Sequence, residues 1–392
     1  MCIKITAPLR ISDIKCFHKS RTHFLIPQNP AYHQPPTANH HQRKIYIGKL
    51  LGIPAHSIFR GGKKMKKVIY VILVSMAVTG FSISWQEFSD TTPESCTIFT
   101  ASFGEMVLFG NNEDYSNPKT YYWVSPSTVQ FYGGVYFGYD SFSPQGGINE
   151  KGLAFDYNAL PEVPLNPHPE LPQLHGNPGL IILRECTTIE EAIAMARGYN
   201  WGTSLTYQMH MADATGDAVV ISAGPDGELA FTRKEKGNGY LVSTNFNLAY
   251  YQGKKEGLCS RYDTAVAMLE KIKDENDLTI DYSVSILDAV HAEGASSNTL
   301  YSNLFDLKAG TIYLYYWHQF DEVVTLSVEE EITKGYSPTR ISDLFSPETV
   351  DQALSEHQNY QKEKEGGICL GTTFITVLMI IGLLFLLPKK RE

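Results

Sequence analysis

Four residue types in one order suggest covalent chemistry in this chain. Cys96 opens the run Cys96-Thr97-Ile98-Phe99, and Gly110-Asn111-Asn112-Glu113-Asp114-Tyr115 follows after a short turn. A cysteine at a mature N-terminus would carry a thiol and an α-amine on one residue. The amine, with an ordinary pKa of about 7.7–8.0, takes the thiol proton at neutral pH and returns it to a leaving amine. A two-stranded hairpin would bring Asp114 back beside Cys96, where its carboxylate can hold that amine. Asn158 and Asn245 are neutral amides able to donate to a developing oxyanion, a contribution of about 2.7–4 kcal/mol per donor in acyl transfer. Taken singly, each residue also suits a structural part, as a small buried cysteine or a turn-forming asparagine.

The elements that must position these groups are legible as alternating patterns. Residues 97–102 and 106–110 read as a hairpin across Phe103-Gly104-Glu105. Further strands are expected at 152–157, 209–213, 218–223, 229–232, 240–244 and 310–317. Helices are expected at 188–197, entered through a Thr-Ile-Glu-Glu cap, at 261–273 and at 281–291. Strands at both ends with helices between them argue for α+β layers.

In their order, Cys96, the Asn-x-Asp at 112–114, the Asn149-Glu150-Lys151-Gly152 turn before Asn158, the strand ending in Asn245, and Ser260-Arg261-Tyr262 resemble a known group. They are similar to the linear-amide hydrolases of the choloylglycine hydrolase family, which includes bile salt hydrolases and penicillin V acylases. They also resemble the related acyl-coenzyme A:6-aminopenicillanic acid acyltransferase family. Both are N-terminal-nucleophile (Ntn) hydrolases. The resemblance covers roughly residues 96–273 and implies a four-layer αββα sandwich, with Cys96 as nucleophile and Asp114 orienting it. It implies Asn158 and Asn245 at the oxyanion hole and Arg261 as an active-site arginine; Asn111 and Asn112, beside Asp114 in the same motif, are expected to bind substrate. The bile salt and penicillin V enzymes usually carry Arg where this chain has Asn111, so their substrate specificity does not transfer. Asn-Glu-Asp before an aromatic is also similar to secreted cysteine dipeptidases of the same fold.

The expected activity is hydrolysis of a non-peptide amide in an N-acyl compound through a Cys96 thioester; acyl transfer and dipeptidase activity are the enzyme alternatives. The expected partner is a small N-acyl amide, and no metal or organic cofactor is required. A non-catalytic membrane-tethered binding domain would share the fold without processing, and retention of Ser95 would mark it. A structural surface protein would call for repeats, and none is visible.

Composition divides the 392 residues into unlike parts, although the whole is 43% hydrophobic and 19% charged with a net charge of −9. Residues 1–64 hold 11 of the 33 Lys and Arg with one acid, Asp13, and read as a basic extension, disordered or preceding the true start. Their six histidines show no metal-ligand spacing. Residues 65–84 have the charged start, apolar run and small-residue end of a secretory signal, and 85–95 form a short propeptide or linker. The enzyme domain is expected over 96–350 and a polar stalk over 351–367. The uncharged stretch 368–387 reads as a transmembrane helix, and 388–392 as a basic cytoplasmic tail. These segments predict a protein on the outer face of a membrane, anchored by its C-terminal helix. Residues 96–367 carry 17 basic against 37 acidic side chains, a field that repels nucleic acid. A homo-oligomer is compatible with the sequence. Cys96, Cys186 and Cys259 are an odd number in a disulfide-permissive compartment, which leaves open whether Cys186 and Cys259 pair.

Overall fold

Thr97–Phe103 (β1) and Met106–Tyr115 (β2) form the expected hairpin, turning at Gly104 in the left-handed region (φ 57°). The second strand runs five residues beyond its apolar stretch, through 111–115, because β1 pairs with it as far as Asn112 and a later strand, Asn298–Asp306, as far as Tyr115. Every residue of β1 is buried, since its two faces are both covered. Ile98 packs between the two sheets of the domain, whereas Phe99, Ala101 and Phe103 pack beneath helices, as strand alternation requires.

The computed structural model describes residues 96–362 apart from 252, 254, 295 and 296. The expected basic extension, signal, linker, transmembrane helix and basic tail lie outside the described residues. Among the described residues no helix is long and apolar enough to cross a membrane.

The remaining elements, in order, are β3 (Thr120–Ser125), β4 (Gly134–Tyr139), β5 (Pro144–Asn149), β6 (Ala154–Pro164), α1 (Pro178–Glu185), α2 (Ile189–Arg197), β7 (Ser204–Ala212), β8 (Ala218–Ala223), β9 (Leu229–Lys234) and β10 (Gly239–Ser243). After them come α3 (Ser260–Leu269), α4 (Ile280–Ala289), β11 (Asn298–Asp306), β12 (Thr311–Tyr316), β13 (Gln319–Ser327), α5 (Val328–Lys334) and β14 (Thr339–Arg340). A last helix, α6, occupies 347–362. Its residues 351–362 take up most of the expected stalk, and its Ala353 is in the core.

Six strands form one antiparallel sheet in the order β10-β1-β2-β11-β12-β13, and eight form the other in the order β14-β3-β4-β5-β6-β7-β8-β9. Three apolar layers hold them together. Ile98, Phe109, Phe137, Tyr301 and Phe305 meet between the sheets. Phe99, Leu108 and Leu304 pack under Ala265 and Leu269 of α3 and Ile286 and Leu287 of α4. Phe155, Met209 and Val219 pack under Ile182 and Leu183 of α1 and Ile193 of α2. The result is the expected αββα sandwich. Local chemistry fixes its helices: Thr188 and Glu191 close a reciprocal capping box on α2. Gly179 lets α1 approach β6, because a β-carbon there would stand 2.2 Å from the Phe155 ring.

Local patterns did not mark β3, β4, β5, β11, β13, β14, α1, α5 or α6. Tyr121 to Trp123 and residues 134–139 prove to be adjacent strands, with Tyr122, Trp123, Tyr136, Phe137 and Tyr139 buried. Cys96, Cys186 and Cys259 are all free thiols, so Cys186 and Cys259 do not pair. Cys186 is buried in the layer under α1 and α2, and Cys259 caps α3.

Candidate active site

Cys96 stands just ahead of β1, 4% exposed, and lines a cavity of about 240 Å³. Glu113, Gln145, Tyr157, Ala159, Asn177 and Tyr207 are among the other residues around this space. A second cavity of similar volume near Leu165, His168 and Trp201 contains none of the sequence-predicted residues and no nucleophile.

The hairpin places β2 beside the nucleophile, and the Asp114 backbone N–H donates to the Cys96 thiol. The Asp114 carboxylate is fully buried and held from two sides: Thr299 of β11 donates to Oδ1, and Arg261 Nη1 lies 3.3 Å from Oδ2. Arg261, at the start of α3, also donates from Nη1 to Thr97 Oγ1 (2.7 Å) and from Nη2 to Asn245 Oδ1 (3.0 Å). One guanidinium thus ties together β1, β2 and the end of β10. Its five donors in a planar fork suit that task better than an ammonium would.

Asn158 lies within β6, and its Nδ2 donates to the Cys96 carbonyl oxygen at 3.2 Å. Gln208, its cross-strand partner on β7, sets the amide's orientation. Gln208 Nε2 donates to Asn158 Oδ1 (3.4 Å), Thr244 O (2.6 Å) and Phe246 O (3.0 Å), and its Oε1 accepts from Leu248 N (3.0 Å). Asn245 Nδ2 donates to Ala159 O at 3.1 Å, so the segments carrying the two asparagines are joined directly. Tertiary structure therefore brings Cys96, Asp114, Asn158, Asn245 and Arg261 together.

Asn111 and Asn112 are placed differently. Asn112 faces the helix layer, donating to Leu287 O of α4 (2.8 Å) and accepting from Ser302 Oγ (2.7 Å). Asn111 is buried between the sheets opposite Asn303, and neither of these two amides makes a hydrogen bond within the protein. Neither Asn111 nor Asn112 lines the cavity at Cys96.

Sequence reasoning did not single out Glu113, Asp156, Gln208 or Thr299. Glu113 sits in the motif itself and alternates onto the cavity side, accepting from the Tyr139 hydroxyl at 2.6 Å. Gln208 and Thr299 have no local motif, and only strand register brings them to the site.

The electrostatics are one-sided. Burial first, then the negative charges of Glu113, Asp114 and Asp156, push the Cys96 thiol well above its ordinary range, opposed by the Asp114 N–H. Burial also raises Asp156 well above the usual carboxylate range, with Glu113 adding to it. The same effects raise Tyr139, which donates to Glu113. Behind β1, His210 bridges the sheets, 3.0 Å from Thr100 Oγ1 and 2.9 Å from Ser243 Oγ. Burial lowers its pKa to about 3, so it is neutral and structural.

An αββα sandwich with a cysteine at the start of a central strand, facing a cavity and flanked by Asp, Asn and Arg, defines an Ntn-hydrolase-like protein. The family model for acyl-coenzyme A:6-aminopenicillanic acid acyl-transferase matches residues 102–322, more than half of the chain, and the chain belongs to that family. Two structures of conjugated bile acid hydrolase variants from Clostridium perfringens share the fold. They align with TM-scores of 0.50 and 0.51 at 17% identity, each over 62% of this chain and 96% of the other. Penicillin V acylase from Agrobacterium tumefaciens aligns with a TM-score of 0.49 at 18% identity, over 62% of this chain and 90% of its own. No curated protein sequence matches the chain.

Proposed function

We propose that this protein cleaves a linear, non-peptide amide of a small N-acyl compound, with Cys96 as an N-terminal nucleophile. The observation that carries the reading is convergence on one residue: the Asp114 N–H meets the Cys96 thiol, the Asn158 amide meets its carbonyl, and Cys96 faces a cavity. The charge around the thiol supports processing. Three acids near Cys96 oppose a thiolate and would welcome the α-ammonium that cleavage of the Ser95-Cys96 bond creates.

In the proposed cycle the Cys96 α-amine accepts the thiol proton as Sγ attacks the substrate carbonyl carbon. Asn158 and Asn245 donate to the resulting oxyanion. The C–N bond breaks, the leaving amine takes the proton back from the α-ammonium, and a thioester on Cys96 remains. Water hydrolyses it, releasing the acid and restoring the thiol. Membership of a family named for an acyltransferase favours a second outcome at this step, in which an amine replaces water and the acyl group is transferred. The cavity is smaller than the roughly 300–1,000 Å³ of drug-sized sites and is lined by Tyr157, Tyr207 and Pro178 together with Glu113, Gln145 and Asn177, so a compact acyl group is the expected occupant. The domain would act outside the cell, tethered through residues 368–387.

N-terminal sequencing of the native protein, followed by assay on a panel of short-chain and aryl N-acyl amides, tests this. The expected results are a mature chain beginning at Cys96, amine release by the wild type, and none by Cys96→Ala. An active protein that retains Ser95, or an active Cys96→Ala variant, overturns the proposal.

A further inference from the structure

Away from Cys96, four metal-ligating side chains from three separate segments converge. His291 and Glu293 follow α4, His318 occupies the tight turn between β12 and β13, and Glu356 projects from α6. The His291 and His318 rings stack nearly parallel, with centroids 5.0 Å apart and 9° between planes. Ligand atoms of His291, Glu293 and His318 all lie within 4.8 Å of one another. Glu356 Oε2 stands 3.2 Å from His318 Nε2.

Two details favour a shared cation at this group. The His318 side chain is only 10% exposed. Its Nε2 and Glu356 Oε2 are both buried, and although 3.2 Å apart neither makes a hydrogen bond. That spacing is close to the roughly 3.3 Å between two ligands of a tetrahedral ion with bonds of about 2.0–2.2 Å. His291 Nδ1 faces the Asp288 carbonyl oxygen, which can only accept, so Nδ1 carries the proton. This leaves Nε2 as the ring nitrogen free to ligate, facing Glu293 Oε1 at 2.8 Å. A backbone carbonyl behind one ring nitrogen is the usual support for a ligating imidazole. A divalent cation among His291, Glu293 and His318, with Glu356 beside His318, would meet imidazole and carboxylate ligands together.

We infer that His291, Glu293, His318 and Glu356 form a structural Zn²⁺ site that clamps α6 to the sheet domain. Two imidazoles and two carboxylates without a thiolate suit zinc among the first-row divalent metals. The reaction proposed for Cys96 does not pass through this ion, and none of the four residues lines the Cys96 cavity. The clamped helix runs to residue 362, so the site would hold that helix against the sheet domain.

The test uses the purified full-length chain, stripped with EDTA and titrated with ZnCl₂ by calorimetry. One Zn²⁺ per chain is expected, with an upward shift in melting temperature and slower proteolytic cleavage within 347–362. X-ray absorption at the zinc edge should show two imidazoles and oxygen ligands. His318→Gln and Glu356→Gln should each weaken binding by about tenfold or more. Absence of saturable binding by the wild type, sulfur ligation from Cys186 or Cys259, or unchanged affinity in the His291→Gln/His318→Gln variant overturns the site. If a variant fails to fold, the wild-type absorption spectrum decides alone.

Discussion

Asn158 donates from Nδ2 to the Cys96 carbonyl oxygen at 3.2 Å, from the middle of one sheet to the residue just ahead of the other sheet's β1. Gln208 holds the opposite end of the same amide, so its N–H₂ group faces Cys96 and its oxygen faces away. A donor aimed this way by a fully buried partner is preorganised, the property an oxyanion site needs.

On that basis Asn158→Ala should lower kcat by on the order of 10²–10³ with little change in KM. Gln208→Ala removes only the positioning group, so kcat per titrated active site should fall less, by about tenfold. Steady-state kinetics with active-site titration separates this from loss of folded protein, which would lower the titre and leave kcat per site unchanged.

Arg261 and Asp114 should behave as a coupled pair. The carboxylate is fully buried and the guanidinium side chain is 19% exposed, so Arg261→Met strands a buried charge at a cost of about 3–5 kcal/mol. In Asp114→Asn/Arg261→Met the stranded charge is gone, and chemical denaturation should show less destabilisation than the sum of the single changes.

The buried Cys96 thiol of an unprocessed chain should resist alkylation. Its raised pKa keeps the thiolate fraction at pH 8 below that of a free cysteine. Iodoacetamide followed by peptide mass spectrometry should label Cys259, which is partly exposed, well before Cys96 or Cys186, whose thiol burial pushes up to about 12. Glu113→Gln removes a nearby negative charge while keeping an acceptor for Tyr139, so Cys96 labelling should accelerate.

His210 gives a pH signature. Its folded pKa of about 3 lies below the ordinary value near 6.5, so the unfolded chain binds a proton that the folded chain refuses. The stability from this site is present above pH 6.5 and is lost as pH falls towards 3. His210→Gln should lower stability at pH 7.5 by about 1–3 kcal/mol, through the Thr100 and Ser243 hydroxyls it leaves behind. It should also flatten the decline in melting temperature between pH 6.5 and 4.

Much of this was legible in local patterns. The 97–110 hairpin, the capped helix at 189–197, and the strands around Gly216 follow from alternation, a capping box and turn chemistry, all short-range effects. The strands from 120 to 149 were not. Their aromatic and glycine-rich stretches are buried on both faces, so they lack the alternation that marks a half-exposed strand. Cys96, Asp114, Asn158, Asn245 and Arg261 were recognisable as an ordered set because each sits in or beside a recognisable turn or strand end.

What the sequence by itself determined was the kind of chemistry: a thiol, an acid, two amides and a guanidinium, each on its own element. What only tertiary structure decided was which groups share a space. Strand alternation sends Glu113 to the cavity and Asn112 to the helices although they are neighbours in the chain. Pairing of β6 with β7 brings Gln208 behind Asn158, and pairing of β11 with β2 brings Thr299 to Asp114. The packing of α6 against the turn at His318 assembles a metal-ligand set from residues up to 65 positions apart. Such contacts depend on register and layer packing, and no local run of residues encodes either.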